Sequence, residues 1–306
     1  MNGNQNYKSN RTLIIACFIL STILICCIGA LYYRSQHNSH NNNEGIGDFS
    51  LENDNIKKII IGTWDGGSIS VCSSPDGRSI IAKETDADGL SVKSHNKMYY
   101  RITGSTLEIK PCVTYISNRL FNRSIEKHMQ IELPSCYDYE IILSAKNTDL
   151  ITKNIFSNGS LRAETVNGQI FVSNCTMDKI SVSSSGGKVT AADLSCSSFS
   201  CRTSNCSAEA ISVTAREYLK LESQKSLINI ELSQAPKNSV IHAFEAEVNI
   251  VIPGESDFTT CLDLTEANVI YRGWEDAADN SSYYQGNGSA YFEMIARKSL
   301  IALNSN

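Results

Sequence analysis

A repeat of about 19 residues runs through the second half of the chain and limits what it can fold into. SLRAETVNGQIFVSN (160–174) is followed by KISVSSSGGKVTAAD (179–193) and SFSCRTSNCSAEAIS (198–212). EYLKLESQKSLINIEL (217–232) continues the series, and SVIHAFEAEVNIVIP (239–253) does so more loosely. One apolar column reads Ile170, Val189, Ala208, Ile228, Val248, and beside it run Val172, Ala191, Ala210, Ile230, Ile250. A period near 20 with two short strands per unit is the mark of stacked β coils. Alternation within each strand puts Leu161, Ala163 and Thr165 on one face. Their counterparts are Ile180, Val182, Ser184, then Phe199, Cys201, Thr203, then Leu219, Leu221, Ser223. The last position therefore reads Thr, Ser, Thr, Ser. Coils stacked about 4.8 Å apart superimpose equivalent residues, so a column of like residues is expected. The turn repeats as Asn167-Gly168, Gly186-Gly187 and Asn205-Cys206, and Asn and Gly tolerate the positive φ of a tight corner. The pattern predicts an all-β, single-stranded β-solenoid of about six coils of about 19–20 residues. Asn-Gly can also close a hairpin, which leaves an antiparallel β-sandwich as the alternative.

Near the N-terminus, TLIIACFILSTILICCIGALYY (12–33) carries no charge. As a helix it would be about 33 Å long, enough to cross a hydrocarbon core of about 30 Å. It exceeds the apolar core of a cleavable signal peptide, and Ile28-Gly29-Ala30 is a poor cleavage site. Ile14-Ile15-Ala16-Cys17 has too little apolar sequence before it to be a lipobox. The reading is a retained transmembrane helix in contact with membrane lipid. Lys8 and Arg11 precede it and only Arg34 follows closely, so residues 1–11 form a short cytoplasmic tail and the rest lies outside the membrane. Residues 34–56 are rich in Asn, Ser and Gly and read as a polar linker, with His37 and His40 as part of a solvated tether. Residues 57–303 form one extracytoplasmic domain.

Within that domain, short apolar alternations such as IKKIIIGTW, GSISVCS, RSIIAKE and KMYYRIT are punctuated by Gly, Asp, Asn and Ser. The formal net charge of −5 and the lack of any Lys/Arg cluster argue against nucleic acid as a partner. No Gly-x-Ser-x-Gly, P-loop or His-Glu-x-x-His occurs, and His95, His128 and His242 are assigned no partners. The outward positions Arg162 and Glu164, Ser181 and Ser183, Ser200 and Arg202, Lys220 and Glu222 form no acidic column of the kind a polysaccharide-cleaving groove uses. No catalytic residue, cofactor or metal is expected. Glu84-x-Asp86-x-Asp88-Gly89 resembles half of a calcium loop, but position 12 is His95 and strand-like segments flank it, so a β-turn on Asp88-Gly89 is the reading.

ETVNGQIFV (164–172), SSSGGKVTA (183–191) and the closing NIVIP (249–253) are similar to the repeating unit of the bacterial "putative adhesin" domain families, membrane-anchored or exported proteins with β-solenoid domains of unknown function. STLEIKP (105–111) and MQIELP (129–134) resemble the opening strands of those domains, and the likeness covers about 60–303. Cys206 departs from it, standing where Gly is usual. The resemblance implies a surface-exposed, non-catalytic module.

Of eleven cysteines, Cys17, Cys26 and Cys27 fall in the apolar span. Cys72, Cys112, Cys136, Cys175, Cys196, Cys201, Cys206 and Cys261 lie outside it. Three readings stand: unpaired packing thiols, a disulfide, or a metal or redox site. Cys196–Cys206 and Cys175–Cys196 are the candidate bridges. EDAADNSSYYQGNGSAY (275–291) reads as a loop, with Tyr283 and Tyr284 either packed or facing a partner, and AYFEMIARKSLIAL (290–303) reads as a terminal cap. The functional reading is a membrane-anchored, non-enzymatic, adhesin-like binding or envelope-structural module whose partner is a surface protein or a glycan. The alternatives are an accessory of an envelope-stress sensor acting through its membrane helix, and a carbohydrate-active β-helix enzyme.

Overall fold

In the computed structural model, the described residues are 43–52, 55–74, 77–112, 126–135, 137–274 and 278–306. The expected transmembrane segment 12–33 and Cys136 lie outside them. Among the described residues no helix is long and apolar enough to cross a membrane.

The repeat folds as its columns require. Parallel pairing aligns Ile170 with Val189, Ala208, Ile228 and Val248 in successive coils, and Val172 with Ala191, Ala210, Ile230 and Ile250. Leu161, Ile180, Phe199 and Leu219 align on the other wall, as do Thr165, Ser184, Thr203 and Ser223. Every member of the Leu161, Thr165 and Ile170 columns is buried. The parallel register excludes the antiparallel sandwich for this region.

The coils between Glu140 and Leu232 have three sides. A first strand such as Ser160–Val166 turns at a left-handed residue into a second wall, here Ile170 to Ser173. A second left-handed residue then turns the chain into a short third wall, where Cys175 aligns with Leu194 and Val213, and Met177 with Cys196. Because this second corner is a single residue, the ladder lapses only there, and the strands Ile170–Ser185, Val189–Ser204 and Ser207–Gln224 each wrap around it. The first corner is occupied by Asn147, Asn167, Gly186, Asn205, Lys225 and Glu245, all at positive φ, and the second by Asn154, Asn174, Asp193 and Ser212. Only Asn, Asp and Gly are at ease there; Lys225 and Glu245 are held by the coils on either side. Asn167 donates to the side chain of Asn147 at 3.3 Å, and Asn147 to Asp65 at 2.8 Å, so the corner amides form a ladder.

The stack extends beyond the recognisable repeat, and at both ends it departs from chain order. Toward the N-terminal end the coil of Lys58–Asp65 and Gly67–Ser73 sits between that of Thr106–Lys110 and Lys127–Leu133 and that of Glu140–Lys146 and Asp149–Lys153. Toward the C-terminal end, Ala290–Arg297 and Leu300–Ser305 pair on one side with Asn238–Phe244 and Glu247–Ile252, and on the other with Phe258–Thr265 and Asn268–Arg272. The expected terminal cap is therefore an internal coil. Its strands, with Phe292, Met294, Ile301 and Leu303 fully buried, are too apolar for an end position. The pairings give ten levels among the described residues, rather than about six.

The ends are closed by irregular and antiparallel pieces. At the C-terminal end Tyr284–Gln285 pairs with Phe258–Thr265, and Asn280 and Asp279 side chains accept the amides of Val269 and Tyr271 at 2.7 and 3.2 Å. Tyr283 packs on Phe258 and Tyr271, while Tyr284 is 62% exposed. At the other end Tyr99–Thr103 covers Thr106–Lys110, and Ser79–Asp86 covers Lys127–Leu133, both antiparallel. Phe49–Glu52, within the segment expected as linker, pairs with Ser79–Asp86 and buries Phe49, so the ordered domain begins before residue 57. The turn on Asp88-Gly89 forms as expected: the Asp86 carboxylate accepts the amides of Asp88 and Leu90.

Candidate functional site

A buried ion pair, a Ser–His pair and an outer groove differ in what they can do. The first is buried. Glu84 and Lys127 have side chains 1% and 2% exposed and lie 2.8 Å apart. The Lys127 ammonium also donates to the carbonyls of Asn96 at 2.7 Å and of Pro111, and lies 4.9 Å from the Trp64 ring centre. Glu84 accepts the Met98 amide at 2.6 Å. Three acceptors use the three ammonium protons, so this is a satisfied ion pair that ties four chain segments together and has no ammonium proton left for a ligand. In the sequence Glu84 stands out only as the first residue of an incomplete calcium loop; Lys127, 43 residues away, carries no local signal.

The second is a Ser–His pair. Ser68 Oγ lies 2.8 Å from His128 Nδ1, so His128 has a partner that sequence reasoning did not assign. Asp149 aligns with Ser68 on the opposite side from His128. The order along the column is His, Ser, Asp, which puts the carboxylate beside the hydroxyl rather than behind the imidazole, where a catalytic triad needs it.

The third is an open groove of about 470 Å³ on the outer face of the first wall. Four adjacent coils build it, because alternation turns Arg202 and Ser204, Glu222 and Gln224, His242 and Phe244, and Ile295 and Arg297 outward at matching positions. Arg202 donates through Nε to Glu222 at 2.6 Å, and Lys220 lies 2.7 Å from the other Glu222 oxygen. Partial burial raises the Glu222 pKa, but hydrogen bonds and charge from Lys220 and Arg202 outweigh it and hold the carboxyl below its usual value. Arg297 donates to Thr265 at 2.7 Å and lies 3.6 Å from Asp263 on the next coil. Phe244 is 42% exposed, next to Arg297 in register, with His242 exposed and Ile295 half-buried beside them. The result is a shallow trough with one apolar ring, a half-buried Ile and a rim of planar polar groups. It offers contact and hydrogen bonding, and it contains no paired carboxylates and no activated nucleophile. Arg202 and Glu222 are outward, as their positions predict, and His242 and Phe244 follow in the looser last unit of the repeat. Ile295 and Arg297 join them only through the inserted coil, which has no counterpart in the repeat.

The sequence-predicted cysteines are dispersed around the coil. Cys175 and Cys196 sit on the third wall two positions out of register, Cys175 facing Leu194 and Cys196 facing Met177. Cys206 lies at the first corner, 3.5 Å from the Ser184 carbonyl. These three thiols are free, as are those of Cys72, Cys201 and Cys261. Cys201 is 3% exposed in its inward column. Burial, with a smaller contribution from Cys206, pushes its thiol up to about 12; burial does the same to Cys196, where Arg216 opposes it and Asp178 adds to it. Among the described residues no group of His, Cys, Asp and Glu has the arrangement of a metal site.

The chain is similar to several solved structures. A "putative adhesin" from Parabacteroides distasonis ATCC 8503 is 11% identical with a TM-score of 0.49, over 85% of this chain and 97% of that one. A "putative adhesin" from Bacteroides fragilis NCTC 9343 is 10% identical with a TM-score of 0.39, over 86% and 97%. A "putative lipid binding protein" from Parabacteroides distasonis ATCC 8503 is 12% identical with a TM-score of 0.37, over 87% and 98%. No curated protein matches the chain. The family model described as Toastrack DUF4097 matches residues 47–297, a span that takes in the strand at Phe49 and nearly the whole coil stack, and the chain belongs to that family.

Proposed function

We propose that this protein is a membrane-anchored, extracytoplasmic binding module without catalytic activity, and that the outer face of its first wall is the working surface. The observation that supports this most is the groove over residues 202–297: four coils converge a ring, an aliphatic side chain and several hydrogen-bonding groups on one open trough. Rigid parallel coils suit such a role, since the backbone donors and acceptors of the wall are already paired and side chains alone face a partner. The apolar span 12–33, with Lys8 and Arg11 before it, supports the anchor and the outward orientation of the domain.

Two experiments test this. Protease added to intact cells should release the domain while leaving cytoplasmic markers whole. The purified full chain in detergent should bind saturably to envelopes from cells that lack it. Protection from protease would remove the orientation, and non-saturable binding would remove the binding module.

A further inference from the structure

We infer that the groove on the first wall binds an acidic polysaccharide; this rests on the binding-module reading above and gives it a ligand class. Each strand beneath the groove is hydrogen-bonded to a parallel neighbour on both sides, so a peptide cannot add itself as a further strand there. Recognition must come from side chains on an open surface. The side chains present are one exposed ring, Phe244, with Gln224, His242, Arg202 and Arg297 around it. A flat ring flanked by planar, multidentate polar groups suits the C–H face and the hydroxyls of a sugar. The apolar part, Phe244 and Ile295, is too small for a lipid surface.

The charge on the rim selects among sugars. Arg202, Lys220 and Arg297 are set against Glu222 and Asp263, and Glu222 is already engaged by two of the cations. Within the groove lining, Arg202 and Arg297 stand against Glu222, an excess of one positive charge, on a chain whose formal net charge is −5. Arg202 meets Glu222 through Nε, which leaves the outer edge of its guanidinium directed away from that bond, and its side chain is 65% exposed. A carboxylate-bearing glycan complements this rim, where a neutral one gains nothing from it. The four coils beneath the groove are stacked about 4.8 Å apart, so a linear glycan lying along the axis spans from Arg202 to Arg297.

The experiment measures binding of the full chain in detergent to oligogalacturonate and to a neutral maltooligosaccharide of the same length, by calorimetry, at low and high salt. The expected result is binding of the acidic oligomer at least tenfold tighter than the neutral one, weakened by salt. Phe244→Ala and Arg297→Gln should each weaken it tenfold or more while leaving the melting temperature unchanged. Equal affinity for both oligomers would overturn the acidic selection. Acidic binding untouched by either substitution would overturn the groove as its site. If neither oligomer binds but the chain still binds envelopes saturably, the glycan inference fails and the binding-module reading stands; if a competing envelope protein displaces the chain from those envelopes, the ligand is a protein.

Discussion

Single residues decide this fold where the chain turns or where a charge is buried. The pair Glu84–Lys127 is the only ion pair among the described residues whose two side chains are both less than 5% exposed. Removing one partner leaves the other charged and dry. Glu84→Gln or Lys127→Met alone should cost about 3–5 kcal/mol in urea unfolding, and the double replacement should recover part of that loss. Gly187 makes a different demand: a Cβ there would stand 1.8 Å from the Gly168 carbonyl oxygen, so Gly187→Ala must push two coils apart and lower the melting temperature. The inward thiols give a pH signature. Cys196 and Cys201 are held at about 12 in the folded chain against 9.0 for an ordinary thiol. Their contribution to stability is complete below about pH 9 and is lost as pH rises from there toward 12, because the unfolded chain releases those protons first. Melting temperature should therefore fall more steeply above about pH 9 in the wild type than in a Cys196→Ala/Cys201→Ala variant; parallel curves would contradict this. Native alkylation should reach exposed Cys261 well before either.

At the scale of the element, what the sequence makes legible is whatever is repeated by neighbours in the chain. The columns through Ile170, Val172 and Thr165 can be read because each coil follows the last after 19 or 20 residues, and like residues recur at like places. The inserted coil cannot. Val248 pairs with Ile301, 53 residues on, and no local pattern distinguishes a strand that ends a stack from one that slips inside it. The same insertion hides half of the groove: Arg202 and Glu222 lie in the readable coils, but Phe244 meets Arg297 only through it. Stability should depend on the inserted coil. A chain ending at Gly288 would lose Phe292, Met294, Ile301 and Leu303, each worth about 1.5–3 kcal/mol when buried, and would strand the coil of Phe258–Thr265 and Asn268–Arg272. Since a domain's net stability is about 5–15 kcal/mol, the truncated chain should fail to melt cooperatively by circular dichroism. A sharp transition at the wild-type temperature would place 290–306 outside the core.

For the whole molecule, ten parallel levels with both ends covered leave the side walls as the surfaces available to a partner. End-to-end growth is discouraged by Tyr284–Gln285 and the Asp279 and Asn280 side chains at one end, and by antiparallel strands at the other. Family membership accounts for the architecture, and the trough over Arg202, Phe244 and Arg297 is the feature on which the proposed function rests. The most direct measurement is a binding isotherm of the purified full chain on envelopes, comparing wild type, the Phe244→Ala/Arg297→Gln variant, and Thr190→Lys on the second wall as a control. The account predicts saturable binding by wild type and by Thr190→Lys, and at least tenfold weaker binding by the groove variant at an unchanged melting temperature. Equal binding by all three would contradict it.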